Sequence, residues 1–115
     1  MKKPKDKNSK SYKKWRERVD YKNGLKEWSK LVRERDGNKC VVCGSDKNLN
    51  AHHILDKIHY RLYSLNIGVG ITLCVKHHKW GKYAAHTNVL WFSNWLHKHR
   101  LEQYNECLDL IGEIE

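Results

Sequence analysis

Residues 40–55 read CVVCGSDKNLNAHHIL and residues 70–80 read GITLCVKHHKW, and the fold of the chain turns on these two stretches. Each holds a pair of metal-ligating residues separated by two others: Cys40 and Cys43, then Cys74 and His77. Zinc prefers four soft or borderline ligands in a tetrahedron, and two such pairs supply them. A closed four-ligand site leaves no position for water, so this zinc is expected to stabilise the fold and take no part in chemistry. Without metal, Cys40 and Cys43 would read as small buried apolar residues and His77 as a surface imidazole. Cys107 stands apart on the apolar side of the last helical stretch and is expected only to pack.

Working outward, LNAHHIL over 49–55 is short, apolar and bounded by polar loops, which predicts a strand, and Ile71 to Leu73 predicts a second. Residues 56–70 read as an irregular loop ending in Gly68-Val69-Gly70, and a helix is expected from Val75 toward Tyr83. Upstream, Leu25, Trp28, Leu31 and Val32 recur at helical spacing, with Asp36-Gly37 as the stop. Downstream, Val89 to His99 and Leu101 to Ile111 carry apolar residues in helical register, including an aromatic cluster that reads as core. The class is therefore α+β: a small hairpin-and-helix core with a zinc knuckle, flanked by N-terminal and C-terminal helices.

At 115 residues the chain is expected to form one domain, small enough for a structural metal to supplement its core. Its net charge of +10 is unevenly placed. Residues 1–35 hold 14 Lys or Arg against 5 acids, and the remaining 80 residues hold 9 against 8. Residues 1–14 are expected to be a basic, disordered arm, with a single domain over 15–115. Lys and Arg release counterions from phosphates, so a polyanion is the expected partner, contacted by Lys10, Lys13, Lys14, Arg16, Arg18, Lys79 and Lys82. A solubilising tail would have the same composition, and an anionic membrane surface would attract it, although the arm has no apolar face to insert. No run reaches membrane-spanning length and no secretory leader is evident. With a Cys-x-x-Cys pair, this leads to the expectation of an intracellular, cytoplasmic protein.

Four further histidines lie among or just beyond the knuckle pairs: His52, His53, His78 and His86. On a strand His52 and His53 point to opposite sides, so one can bind a metal while its neighbour faces a water. His78 would begin a helix beside that strand. RERDGNKCVVCGSDKNLNAHHI followed by GITLCVKHHKWGKYAAHTN resembles the HNH endonuclease family, especially its compact zinc-containing phage and provirus members. The resemblance runs from about Trp28 to Leu96. It implies a ββα-metal fold and a metal-dependent DNA endonuclease that nicks or cleaves double-stranded DNA.

By position, the resemblance makes His53 the general base, with His52 and His78 as ligands of a catalytic Mg²⁺ or Mn²⁺, other divalent ions being possible. His86 is a candidate third ligand. The family's middle asparagine falls here on Val69, and the nearest preceding asparagine is Asn66. Either Asn66 reaches the site or a backbone group orients the base; reduced activity is the third possibility. The alternative function is a zinc-stabilised nucleic-acid-binding module whose catalytic centre has decayed. The resemblance further suggests a monomer or weak dimer, with phage packaging or recombination proteins as possible partners.

Overall fold

The computed structural model describes residues 2–114 and shows an α+β chain around one two-stranded antiparallel sheet. Helix α1 spans Lys10–Arg35, strand β1 Leu49–His53, strand β2 Gly70–Cys74, helix α2 Val89–His99 and helix α3 Leu101–Ile114. Two short 3₁₀ turns, Arg61–Tyr63 and Ile67–Val69, shape the loop between the strands. A single π-helical turn, Lys76–Trp80, follows β2.

Helix α1 begins well before the Leu25 start that apolar periodicity suggests. Ser9 caps it, its hydroxyl accepting from Tyr12 N at 3.1 Å. The Lys, Arg and Glu residues that follow are good helix formers, and the chain meets no strong stop before Gly37 and Asn38, both at positive φ. The predicted arm is therefore helical from Lys10 onward. At 26 residues the helix is about 39 Å long, longer than the two shorter dimensions of the molecule, 36 and 24 Å. The helix expected over Val75 to Tyr83 is only the π-helical turn, because Gly81 ends it with an extended backbone.

Strand β2 is buried along its whole length and forms the centre of the core. Gly70 and Thr72 lie beneath α1: a Cβ at Gly70 would fall 2.5 Å from Trp28 and 2.6 Å from Val32, and Thr72 Oγ1 donates to Val32 O. Ile71 and Leu73, on the other face, pack with Phe92 and Leu96 of α2. Antiparallel pairing sets His52 opposite Ile71 and His53 opposite Gly70. Paired residues share a face, so His52 looks toward α2 and His53 toward α1. A second cluster of Leu55, Val69 and Cys107 closes α3 over the inter-strand loop, and Cys107 packs as expected.

Candidate metal centres

The two ligand pairs meet. Cys40, Cys43, Cys74 and His77 place their ligand atoms within 4.8 Å of one another. Cys43 Sγ lies 3.7 Å from Cys74 Sγ, and His77 Nδ1 lies 3.3 Å from Cys74 Sγ and 3.9 Å from Cys40 Sγ. A zinc tetrahedron with Zn–S of about 2.3 Å and Zn–N of about 2.0 Å has edges of roughly 3.5–3.8 Å, so this cluster could hold a zinc ion. The Cys40-to-Cys43 turn closes with Gly44 N on Cys40 O, Gly44 being at positive φ. Burial opposes a thiolate at Cys40, but backbone donors of Cys74, Cys43 and Val42 outweigh it and hold the thiol below its ordinary value.

Beside it lies a second cluster. His52, His78 and His86 bring one ring nitrogen each within 4.8 Å of the others. His78 Nε2 and His86 Nε2 are 3.0 Å apart, the spacing of two imidazoles that share an ion at about 2.1 Å. Tight backbone geometry builds the cluster. Gly81 N donates to Lys76 O at 2.7 Å, and the chain then runs back so that Ala85 N meets His77 O and His86 N meets His78 O. A ligand of the first cluster thereby sits next to a ligand of the second.

Asn50 holds His78 from the strand side. Its Nδ2 donates to Leu49 O, which leaves Oδ1 to accept from His78 Nδ1 at 3.0 Å. The proton of His78 is then on Nδ1 and its Nε2 lone pair faces the cluster. Burial, then the neighbouring imidazoles, push His52 down to about 3. Burial, then His86 and Lys79, push His78 down to about 4. Both rings are neutral near pH 7 and ready to accept a Lewis acid.

His53 has a different setting. Its ring stacks on Trp28 of α1 at 3.8 Å between centroids, and its Nε2 donates to Ser64 O at 2.9 Å. A carbonyl can only accept, so the lone pair of His53 is on Nδ1. Burial lowers its basicity, against the opposing pull of the Ser64 bond. His52, His53, His78 and His86 line one cleft of about 390 Å³ together with Asp56, Lys57, Ile58 and Lys79.

Asn66 is not in that cleft. Its side chain caps its own loop by accepting from Gly68 N at 2.8 Å, and its carbonyl accepts from Trp28 Nε1. The group that orients His53 is the Ser64 carbonyl, and Asn66 helps hold the loop that presents it. Val69, where the motif asparagine would fall, is wholly buried among Leu55 and Cys107.

Of the predicted basic contacts, Lys79 lines the cleft, and Lys82 lies 5.6 Å over the Tyr83 ring. Lys10, Lys13, Lys14, Arg16 and Arg18 are exposed on the first turns of α1 and do not line it. Arg16 pairs with Asp20 at 3.4 Å. The residues that sequence reasoning missed are Asn50, Ser64 and Trp28. Asn50 was within reach, since two-residue periodicity puts it on the same strand face as His52. Ser64 acts through its backbone and carries no side-chain signal. No helix among the described residues is long and apolar enough to cross a membrane. No family profile, curated protein or solved structure matches the chain.

Proposed function

We propose that the chain is a metal-dependent DNA endonuclease of the HNH kind, acting inside the cell on double-stranded DNA. In this reading β1, β2 and the Lys76–Trp80 turn stand for the ββα-metal unit, with the helix shortened to one turn. The observation that carries it is the convergence of His52, His78 and His86 in a cleft that also holds His53, its Nε2 tied to a carbonyl.

His53 Nδ1 takes a proton from a water, whose oxygen attacks the phosphorus. The bond to the 3′ oxygen breaks, leaving a 5′-phosphate and a 3′-hydroxyl that takes its proton from solvent. The Ser64 carbonyl favours the protonated form of His53 once the proton has arrived. Lys57 and Lys79 draw the phosphate to the cleft. His52, His78 and His86 would hold a divalent ion, which would supply charge stabilisation in the reaction. Three nitrogens suit Zn²⁺, Ni²⁺ or Mn²⁺ better than Mg²⁺, which prefers oxygen ligands.

The second reading is a DNA-binding module without chemistry, and the buried Val69 in place of the motif asparagine favours it. Supercoiled-plasmid conversion separates the two, run without added ion and with Mg²⁺, Mn²⁺ or Ni²⁺, beside His53→Ala. Nicking is expected to require the ion and to drop by about 10²–10⁴-fold in the variant. Binding without nicking in every ion transfers the assignment to the second reading. Absence of binding sinks both.

A further inference from the structure

Ile58 lies on the rim of the histidine cleft, 82% exposed and part of neither core cluster of the described residues. An isolated exposed aliphatic side chain is ordinary, but the turn that carries this one is held in place beside the cleft. Asp56 organises it: Oδ1 accepts from Ile58 N at 2.7 Å and from His59 N at 3.3 Å, Oδ2 pairs with His59 Nδ1, and the Asp56 carbonyl accepts from Tyr60 N at 2.9 Å. Tyr60 then packs against the Leu55, Val69 and Cys107 cluster, so the turn is anchored to the body. The turn is closed by four hydrogen bonds and holds its apolar tip out in water, with Lys57 beside it and Lys79 across the cleft.

We infer that Ile58 is a wedge that enters between two base pairs of the bound DNA and opens the step next to the phosphate to be cut. The inference rests on the proposed function. Aliphatic side chains presented between cationic groups unstack base steps from the minor-groove side and kink the duplex toward its major groove, which opens the minor groove to the protein. Here the lysines hold the flanking phosphates while Ile58 occupies the opened step. Steps that unstack easily, such as TA and CA, are then cut in preference to stiff ones, which gives the cleft a sequence preference with no hydrogen bond to a base edge.

The test uses the full chain, wild type and Ile58→Ala, without added Mg²⁺ or Mn²⁺. Each is titrated to saturation onto a short duplex carrying 2-aminopurine at a TA step, with anisotropy reporting binding and 2-aminopurine emission reporting unstacking. Wild type is expected to brighten the probe on binding. Ile58→Ala is expected to bind about tenfold more weakly, as for loss of one buried aliphatic side chain, and to leave the probe dark at saturation. Binding without brightening in wild type, or equal brightening in both proteins, overturns the wedge and leaves the nuclease reading standing. No binding by wild type overturns both. A concentration-dependent dimer that Ile58→Ala dissociates, with brightening unchanged, assigns the exposed side chain to self-association and overturns the wedge as well.

Discussion

At the scale of single residues, Asp36, which local pattern marks only as a helix stop, is a junction outside the candidate metal centres. Its carboxylate is almost fully buried and receives Arg35 at 2.9 Å, Arg100 at 3.2 Å and the backbone N–H of Thr72 at 2.9 Å. It thus joins the end of α1, the middle of β2 and the junction of α2 with α3. Asp36→Asn keeps the shape and removes the charge, leaving two partly exposed arginines without their partner. A loss of about 2 kcal/mol is expected from urea unfolding near neutral pH. Burial raises the carboxyl's pKa, but hydrogen bonds from Arg35 and Thr72, with the Arg35 charge, bring it below the ordinary 3.8. A depressed carboxylate stabilises the fold above its unfolded value and loses that contribution as pH falls through the folded one. The gap between wild type and Asp36→Asn should therefore be full above pH 3.8 and close below it. A gap that persists into strong acid would refute the linkage.

At the scale of elements, the π-helical turn couples the two candidate metal centres. It carries His77 into the knuckle and His78 into the cleft, and the return strand of backbone bonds hangs His86 from the same turn. Structural metal binding is folding free energy. Cys40→Ser should therefore lose the knuckle zinc by metal analysis and melt at a lower temperature. Even a 2 kcal/mol loss corresponds to about 8–16 °C in a domain near this size. Unchanged zinc content and melting would remove the knuckle assignment. Because the turn is shared, an ion at the second cluster should also be held more weakly in the variant, and on the nuclease reading a loss of nicking would come through geometry and not through the reacting groups. On the same reading His53→Ala makes the contrasting case, with nicking expected to be lost and zinc retained.

At the scale of the whole molecule, the charge lies along one long helix and the candidate chemistry lies in a cleft that the start of this helix does not line. Deleting residues 2–14 removes seven lysines and one aspartate, together with the Ser9 cap and the first turn of α1. Trp28 and Val32, which anchor α1 on β2, remain. If the proposed function holds, this deletion is expected to weaken DNA binding and to flatten its log–log salt slope by about 0.9 for each phosphate that the arm no longer neutralises. On the nuclease reading the ion requirement of nicking should not change. An unaltered salt slope would show that the arm does not touch DNA.

What the sequence determined by itself is whatever depends on near neighbours. The two knuckle pairs are legible because a tetrahedral ion needs ligands at short, regular spacing. The strands over 49–53 and 70–74 and helices α2 and α3 are legible because apolar period follows local geometry. The opposed faces of His52 and His53 follow from the same two-residue period. The length of α1 was not legible, since its first half has too few apolar residues for a period to show, and capping with helix propensity sustains it instead. Only the tertiary structure decided which atom of His53 bears the lone pair, that Asn66 serves its own loop, and that Asp36 ties three elements together. Apart from the Asn66 side chain, which bonds two residues along its own loop, these are contacts between residues far apart in the chain: Ser64 with His53, Trp28 with the Asn66 carbonyl, Arg100 with Asp36. Such contacts arise from how packed elements meet, and no periodicity along a single chain records that.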